Sequence, residues 1–265
     1  AVVTQHLPLQ LDVGDKHVED EVHIFDRHLR SVESMADLQW LTTPELPERD
    51  AGKVMQLHYT ANYMYFPDAP FNIVKVYPNA HAIKYLFMVR EPAARAASAW
   101  RFHRQLTLDL RSFDKVVHDG IAQRRALEDC YEEALRRSGN STARHVEDLP
   151  PPQQKAIVDA CFWGRPGTHD TTTPPETMLT LMHAHVDKGI YVDQLRRWFS
   201  LVGRENCLVF SLEEWAADES AVFSRIADFV GLQVLGRRGY ANATQLDELL
   251  HKQWNDEDGF STLIP

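Results

Sequence analysis

The stretch YLFMVREPAARAASAW, residues 85–100, constrains the fold more than any other part of the chain. Tyr85–Val89 is an unbroken apolar run of strand length, as expected for a strand buried on both faces of a sheet. Pro92 then stands where a helix can begin, because a first helical turn does not use the N–H that proline lacks. The Ala-rich run behind it has high helix propensity. Together these predict a strand, a tight turn and a helix. The pattern recurs later. From Gly189, apolar residues fall at Ile190, Tyr191, Leu195, Trp198, Phe199 and Val202, which is amphipathic-helix spacing. CLVFSL at 207–212 reads as a second buried strand, and Val222, Phe223, Ile226, Phe229 and Val230 mark another helix that ends near Gly231. Strands alternating with helices predict an α/β domain with a central, largely parallel sheet flanked by helices.

A single domain over residues 1–265 fits this length. Residues 111–132 read as a charged helix, and a helix is expected around Gln245–Trp254. EDLPPPQQ and RPGTHDTTTPPET read as loops by their Pro and Thr content, within a loop-rich insertion at about 130–188. No run approaches 18 consecutive apolar residues, so no membrane span is predicted within the chain. The opening AVVTQHLPLQ has neither the basic nor the apolar region of a signal peptide. Of the three cysteines, Cys207 reads as a buried strand residue. Cys130 and Cys161 flank the insertion as either two unpaired buried thiols or a disulfide closing a loop of about 31 residues. Asn140-Ser141-Thr142 and Asn242-Ala243-Thr244 are glycosylation sequons. With the possible disulfide they lean toward a secretory compartment.

Charge narrows the function. The chain carries 28 Lys and Arg against 38 Asp and Glu, a net −10. A broad nucleic-acid surface is excluded, because it would rest on phosphate neutralisation. Any anionic ligand must be held by a few placed donors against the overall field. Arg90 supplies one at the carboxyl end of a predicted strand, the edge at which open α/β sheets bind ligands. Ser98 lies eight residues on, and the N-terminus of the intervening helix would add free N–H groups. Arg90 and Ser98 could share one phosphate, the guanidinium binding it bidentately. Alternatively Arg90 pairs with Glu91 or another carboxylate.

VREPAARAASAW resembles the 3′-phosphate motif of sulfotransferases that use 3′-phosphoadenosine 5′-phosphosulfate (PAPS). Three further segments agree in order. EVHIFD at 21–26 is similar to the Glu-x-His-Phe-Phe-Asp segment of the heparan- and chondroitin-type glycan sulfotransferases of the Golgi. TANYMYFPDAPFNIVKVYPNA at 60–80 resembles the stretch before their Arg strand, and GIYVDQLRRWFSLVGRENCLVFSLEEW at 189–215 their Gly-x-Tyr helix and the strand after it. The resemblance implies a P-loop-kinase-like sulfotransferase fold and transfer of a sulfuryl group from PAPS to a carbohydrate hydroxyl, leaving adenosine 3′,5′-bisphosphate (PAP). It implies that Arg90 and Ser98 bind the 3′-phosphate, that Glu21 is the general base and that His23 assists it. It implies no metal, a glycan partner rather than nucleic acid, and the Golgi lumen or another secretory compartment. It also implies a membrane anchor for the full-length protein outside these residues.

The chain departs from the family in three places. By family spacing the Lys-x-Gly-Thr-Thr loop for the 5′-phosphosulfate falls just before Ala1, so that AVVTQHLPLQLDV would be the remainder of its helix. FSTLIP at the other end resembles the strand that enters this loop. His58-Tyr59 stands where relatives often carry Glu-Lys, and the family's C-terminal Cys pair and Lys-Gly-Arg nucleotide loop have no clear match, Arg237-Arg238-Gly239 being the one candidate and also reading as a surface turn. These departures motivate a second reading, a sulfotransferase-like protein that binds nucleotide or glycan without turnover. Thirteen histidines raise a metal site, but His183 and His185 would point to different faces of a helix and no nearby set completes the coordination. Neither the P-loop kinase signature nor the Gly-x-Ser-x-Gly hydrolase signature is present.

Overall fold

The computed structural model describes residues 2–4, 25, 56–58, 60–163 and 184–231. Glu21, His23, Tyr59, His183, Arg237, Arg238, the second sequon, the RPGTHDTTTPPET segment and the stretch at 245–254 lie outside the described residues.

Two compact units divide the chain, Ala1–Ala217 and Asp218–Pro265. In the first, β1 (Val2–Thr4), β2 (Gln56–His58), β3 (Lys84–Val89) and β4 (Cys207–Ser211) form a sheet in the order β2-β1-β3-β4. β3 and β4 run parallel, with Tyr85 opposite Cys207 through to Val89 opposite Ser211. Such a pair needs a long crossover. Here it holds α2 (Pro92–Gln105), α3 (Phe113–Arg137), α4 (Pro151–Val158) and α5 (Tyr191–Val202). α1 (Asp68–Val76) precedes β3, and α6 (Leu212–Ala217) follows β4. β1 pairs antiparallel with both β2 and β3. Of the segment expected as a helix remnant, residues 5–13 lie outside the described residues, and Val2–Thr4 is a strand. Its three consecutive β-branched residues fit a pleated ladder better than a helix.

β3 is not buried on both faces. Tyr85 and Phe87 are buried while Met88 is 51% exposed, a period-2 pattern. The buried pair packs on Trp198 of α5 at ring-centroid separations of 5.2 and 5.1 Å. Ile73 and Val76 of α1, Leu201, Val202 and Cys207 complete this core. A second core gathers Tyr65, Phe66, Leu127, Val146, Val158, Phe162 and Trp163. The Cys130–Cys161 disulfide closes it, with the two Cα atoms 5.7 Å apart. The proline run expected as a loop instead opens α4, with Pro151 in the first turn where no N–H is needed. Buried Gln154 ties that turn to the carbonyls of Leu149 and Glu147 at 2.7 and 3.1 Å.

In the second unit, α7 (Glu219–Val230) is N-capped by Asp218, whose carboxylate accepts the Ala221 N–H at 2.9 Å. It ends where the sequence predicts, at Gly231 with φ +75°, a left-handed conformation that favours glycine.

Candidate functional site

The parallel pair ends at Val89 and Ser211, and Arg90 and Glu91 link β3 to α2. The Tyr191 hydroxyl donates to the Arg90 carbonyl at 2.8 Å, and the Arg90 N–H reaches the same oxygen at 3.4 Å. The Glu91 N–H donates to Glu213 Oε1 at 3.0 Å. The Glu91 carboxylate turns back onto α2 and accepts the N–H groups of Ala93 and Ala94 at 3.0 and 2.6 Å. Those amides hold its pKa below the usual carboxylate range. This corrects the expectation of free donors at that helix end, since two of the first-turn amides are already taken. Behind the backbone amides, the Arg90 charge still acts on Glu91 and on Glu213, lowering the pKa of each without a direct ion pair. Among the described residues, no carboxylate lies within 4.0 Å of the half-buried Arg90 guanidinium.

Arg90 lines a cleft of about 590 Å³. Arg95 and Lys188 also line it, with Tyr63, Tyr65, Tyr191 and Trp198, and its described lining contains no Asp or Glu. Its described lining thus carries three cations and no acidic residue, in a chain of net charge −10. Burial lowers the Arg95 pKa, with Tyr191 and Tyr65 opposing it. Arg95 also donates through Nη2 to the His185 carbonyl. Lys188 donates to Asn62 Oδ1 at 3.3 Å and lies over the Tyr65 ring at 5.2 Å.

The chain joins these parts at 185–191. Tyr65 donates its hydroxyl proton to Asp187 at 3.0 Å, and Arg124 of α3 pairs with the same carboxylate at 3.3 Å. Gly189 sits so close to the start of α2 that a Cβ there would lie 3.2 Å from Pro92 Cβ.

The sequence profile of the sulfotransferase domain family matches residues 3–254. The chain belongs to that family. The crystal structure of a sulfotransferase from Alicyclobacillus acidocaldarius is similar at 20% identity and a TM-score of 0.40, covering 67% of this chain and 50% of the bacterial one. This chain thus spans half the length of that protein. No curated protein matches.

In this sulfotransferase domain, Arg90 is the predicted site residue that the structure brings to the cleft. Ser98 is half-buried on α2 and is not among the cleft-lining residues. The sequence assigned no role to Arg95, the second Arg of the VREPAARAASAW motif, nor to the Gly-x-Tyr motif, and it gave no sign of Lys188, which is remote in the chain. The His103 and His185 rings meet tilted, with centroids 5.1 Å apart, and His185 Nε2 lies 4.0 Å from Asp109. Arg111 clamps that carboxylate at 2.7 and 2.9 Å. His185 lies just before a short turn at Asp187–Gly189 rather than on a helix. Among the described residues no His, Cys, Asp or Glu group has the arrangement of a metal site.

Proposed function

We propose that this sulfotransferase domain transfers a sulfuryl group from PAPS to a hydroxyl of a carbohydrate, leaving PAP. The observation that carries the reading is the cleft with Arg90, Arg95 and Lys188 and no acidic residue in its described lining. PAPS supplies the activated sulfur–oxygen bond and is itself a polyanion, so it suits a small cationic cleft rather than a broad basic face. Arg90 offers its forked guanidinium to the 3′-phosphate. Ser98 adds a hydroxyl and Arg237 and Arg238 further cations, all three by resemblance. A sugar hydroxyl is a weak nucleophile at neutral pH, so the Glu21 carboxylate takes its proton and His23 orients that carboxylate. Sulfuryl transfer, like phosphoryl transfer, leaves the protein mainly positioning and charge stabilisation.

The glycan acceptor rests on the Glu-x-His segment, supported by the tyrosines that line the cleft. With net charge −10 around it, a neutral or weakly charged glycan suits the cleft better than a highly sulfated one. A Golgi or other secretory location is supported by the disulfide and by exposed Asn140, whose Oδ1 accepts the Thr142 N–H and hydroxyl at 3.1 and 2.8 Å. The test is transfer of labelled sulfate from PAPS to a glycan panel by the full-length protein. Label in a carbohydrate that falls by about 100-fold in Glu21→Gln supports the reading. Unchanged transfer in that variant sinks the base assignment. A second reading, nucleotide or glycan binding without turnover, is favoured by Tyr59 at the position of the relatives' lysine. Any PAPS-dependent turnover eliminates it.

A further inference from the structure

The geometry points to Tyr191 as a positioning residue for the 3′-phosphate site, acting through the backbone of Arg90; this rests on the reading of Arg90 as the phosphate ligand. The sheet ladder ends at Val89, and α2 begins at Pro92, which brings no N–H. The amide and carbonyl of Arg90 therefore fall between two regular elements. A polar backbone group in a half-buried place needs a partner. One hydroxyl supplies both, accepting from the Arg90 N–H and donating to the Arg90 carbonyl. Only a group that is donor and acceptor at once can do this. Tyr191 and Arg95 both line the cleft, and the tyrosine raises the Arg95 pKa against the effect of burial, so the ring acts on two cleft cations.

Tyr191 is itself fixed. It is the first residue of α5, and Gly189 two positions earlier touches Pro92 so closely that no side chain fits without displacement. A long side chain amplifies any rotation of the backbone that bears it. Holding the Arg90 peptide groups thus fixes where the guanidinium is presented, and pre-set geometry is what makes a bidentate phosphate contact effective. Phenylalanine at 191 would keep the ring and delete the one atom that does this.

The experiment is calorimetric titration of the full-length protein with PAP and with adenosine 5′-phosphate, which lacks the 3′-phosphate. Wild type binds PAP more tightly. In Tyr191→Phe that preference falls by about tenfold, the effect of losing one well-placed hydrogen-bonding group, while the affinity for adenosine 5′-phosphate holds. In an Arg90→Ala background, Tyr191→Phe changes the preference no further. An undiminished preference in Tyr191→Phe overturns the proposal. So does an equal loss for both nucleotides with a lowered melting temperature, which would make the tyrosine merely structural. A wild type that does not prefer PAP refutes the 3′-phosphate reading itself and this proposal with it.

Discussion

Breaking the Cys130–Cys161 disulfide is predicted to loosen the second core and, through it, the cleft. The two cysteines are 31 residues apart. A cross-link of that span removes about 3.7 kcal/mol of denatured-state entropy at 25 °C in the chain-entropy model. For a protein of this size that corresponds to a melting temperature lower by about 7–15 °C. The bridge joins α3 to the turn at Asp159–Trp163, between side chains of one cluster that also contains Tyr65. Tyr65 lines the cleft and bonds Asp187. The double variant Cys130→Ser/Cys161→Ser is therefore predicted to melt earlier and to bind PAP more weakly, and the two losses should track each other. The assay is thermal unfolding with and without reductant, together with thiol titration of unreduced protein in denaturant, after production in an oxidising compartment. One reactive thiol, Cys207, is expected. Three reactive thiols, or a melting temperature indifferent to reductant, would refute the reasoning.

Other consequences follow from single contacts. Gly189→Ala brings a methyl to 3.2 Å from Pro92 Cβ, so the start of α2 must give by a few tenths of an ångström, and the variant is predicted to weaken PAP binding in titration; unchanged affinity would contradict the coupling. Burial pushes the Cys207 thiol up to about 12, so the native protein should resist iodoacetamide at pH 8 and react once unfolded. The Glu91 carboxylate is held low by two amides, so its cap is complete above the usual carboxylate range and is lost as pH falls through the lowered value. Glu91→Ala should lower the melting temperature at neutral pH and should approach wild type under acid conditions, read from melts across a pH series. A constant gap at every pH would count against this assignment.

The βα unit at residues 85–105 was legible because an apolar run, a proline and an Ala-rich stretch all agree locally. Gly231 was legible for the same reason. Local signals misled where the fold chose between two uses of one residue. Three prolines read as a loop, yet they open α4 because the first turn needs no N–H there. Glu91 was considered as a partner for Arg90, although an acidic residue just before a helix-opening proline also signals an N-cap. The exposed side of β3 was hidden from the sequence, because Met88 is as apolar as its buried neighbours. Spacing left the cysteine pairing open, since it depends on where α3 and the Asp159–Trp163 turn meet. Arg95 stands in the same local motif as Arg90 but was given no role, whereas Lys188 reaches the cleft only through tertiary structure, so no local pattern joined it to Arg90.

The most direct test of the account is steady-state sulfate transfer by the full-length protein and its Arg90→Ala variant, with PAPS varied at saturating glycan. The account predicts that Arg90→Ala raises the KM for PAPS at least about tenfold, the loss of a charge-assisted phosphate contact, and leaves the KM for the glycan unchanged. An unchanged KM for PAPS in Arg90→Ala would contradict it.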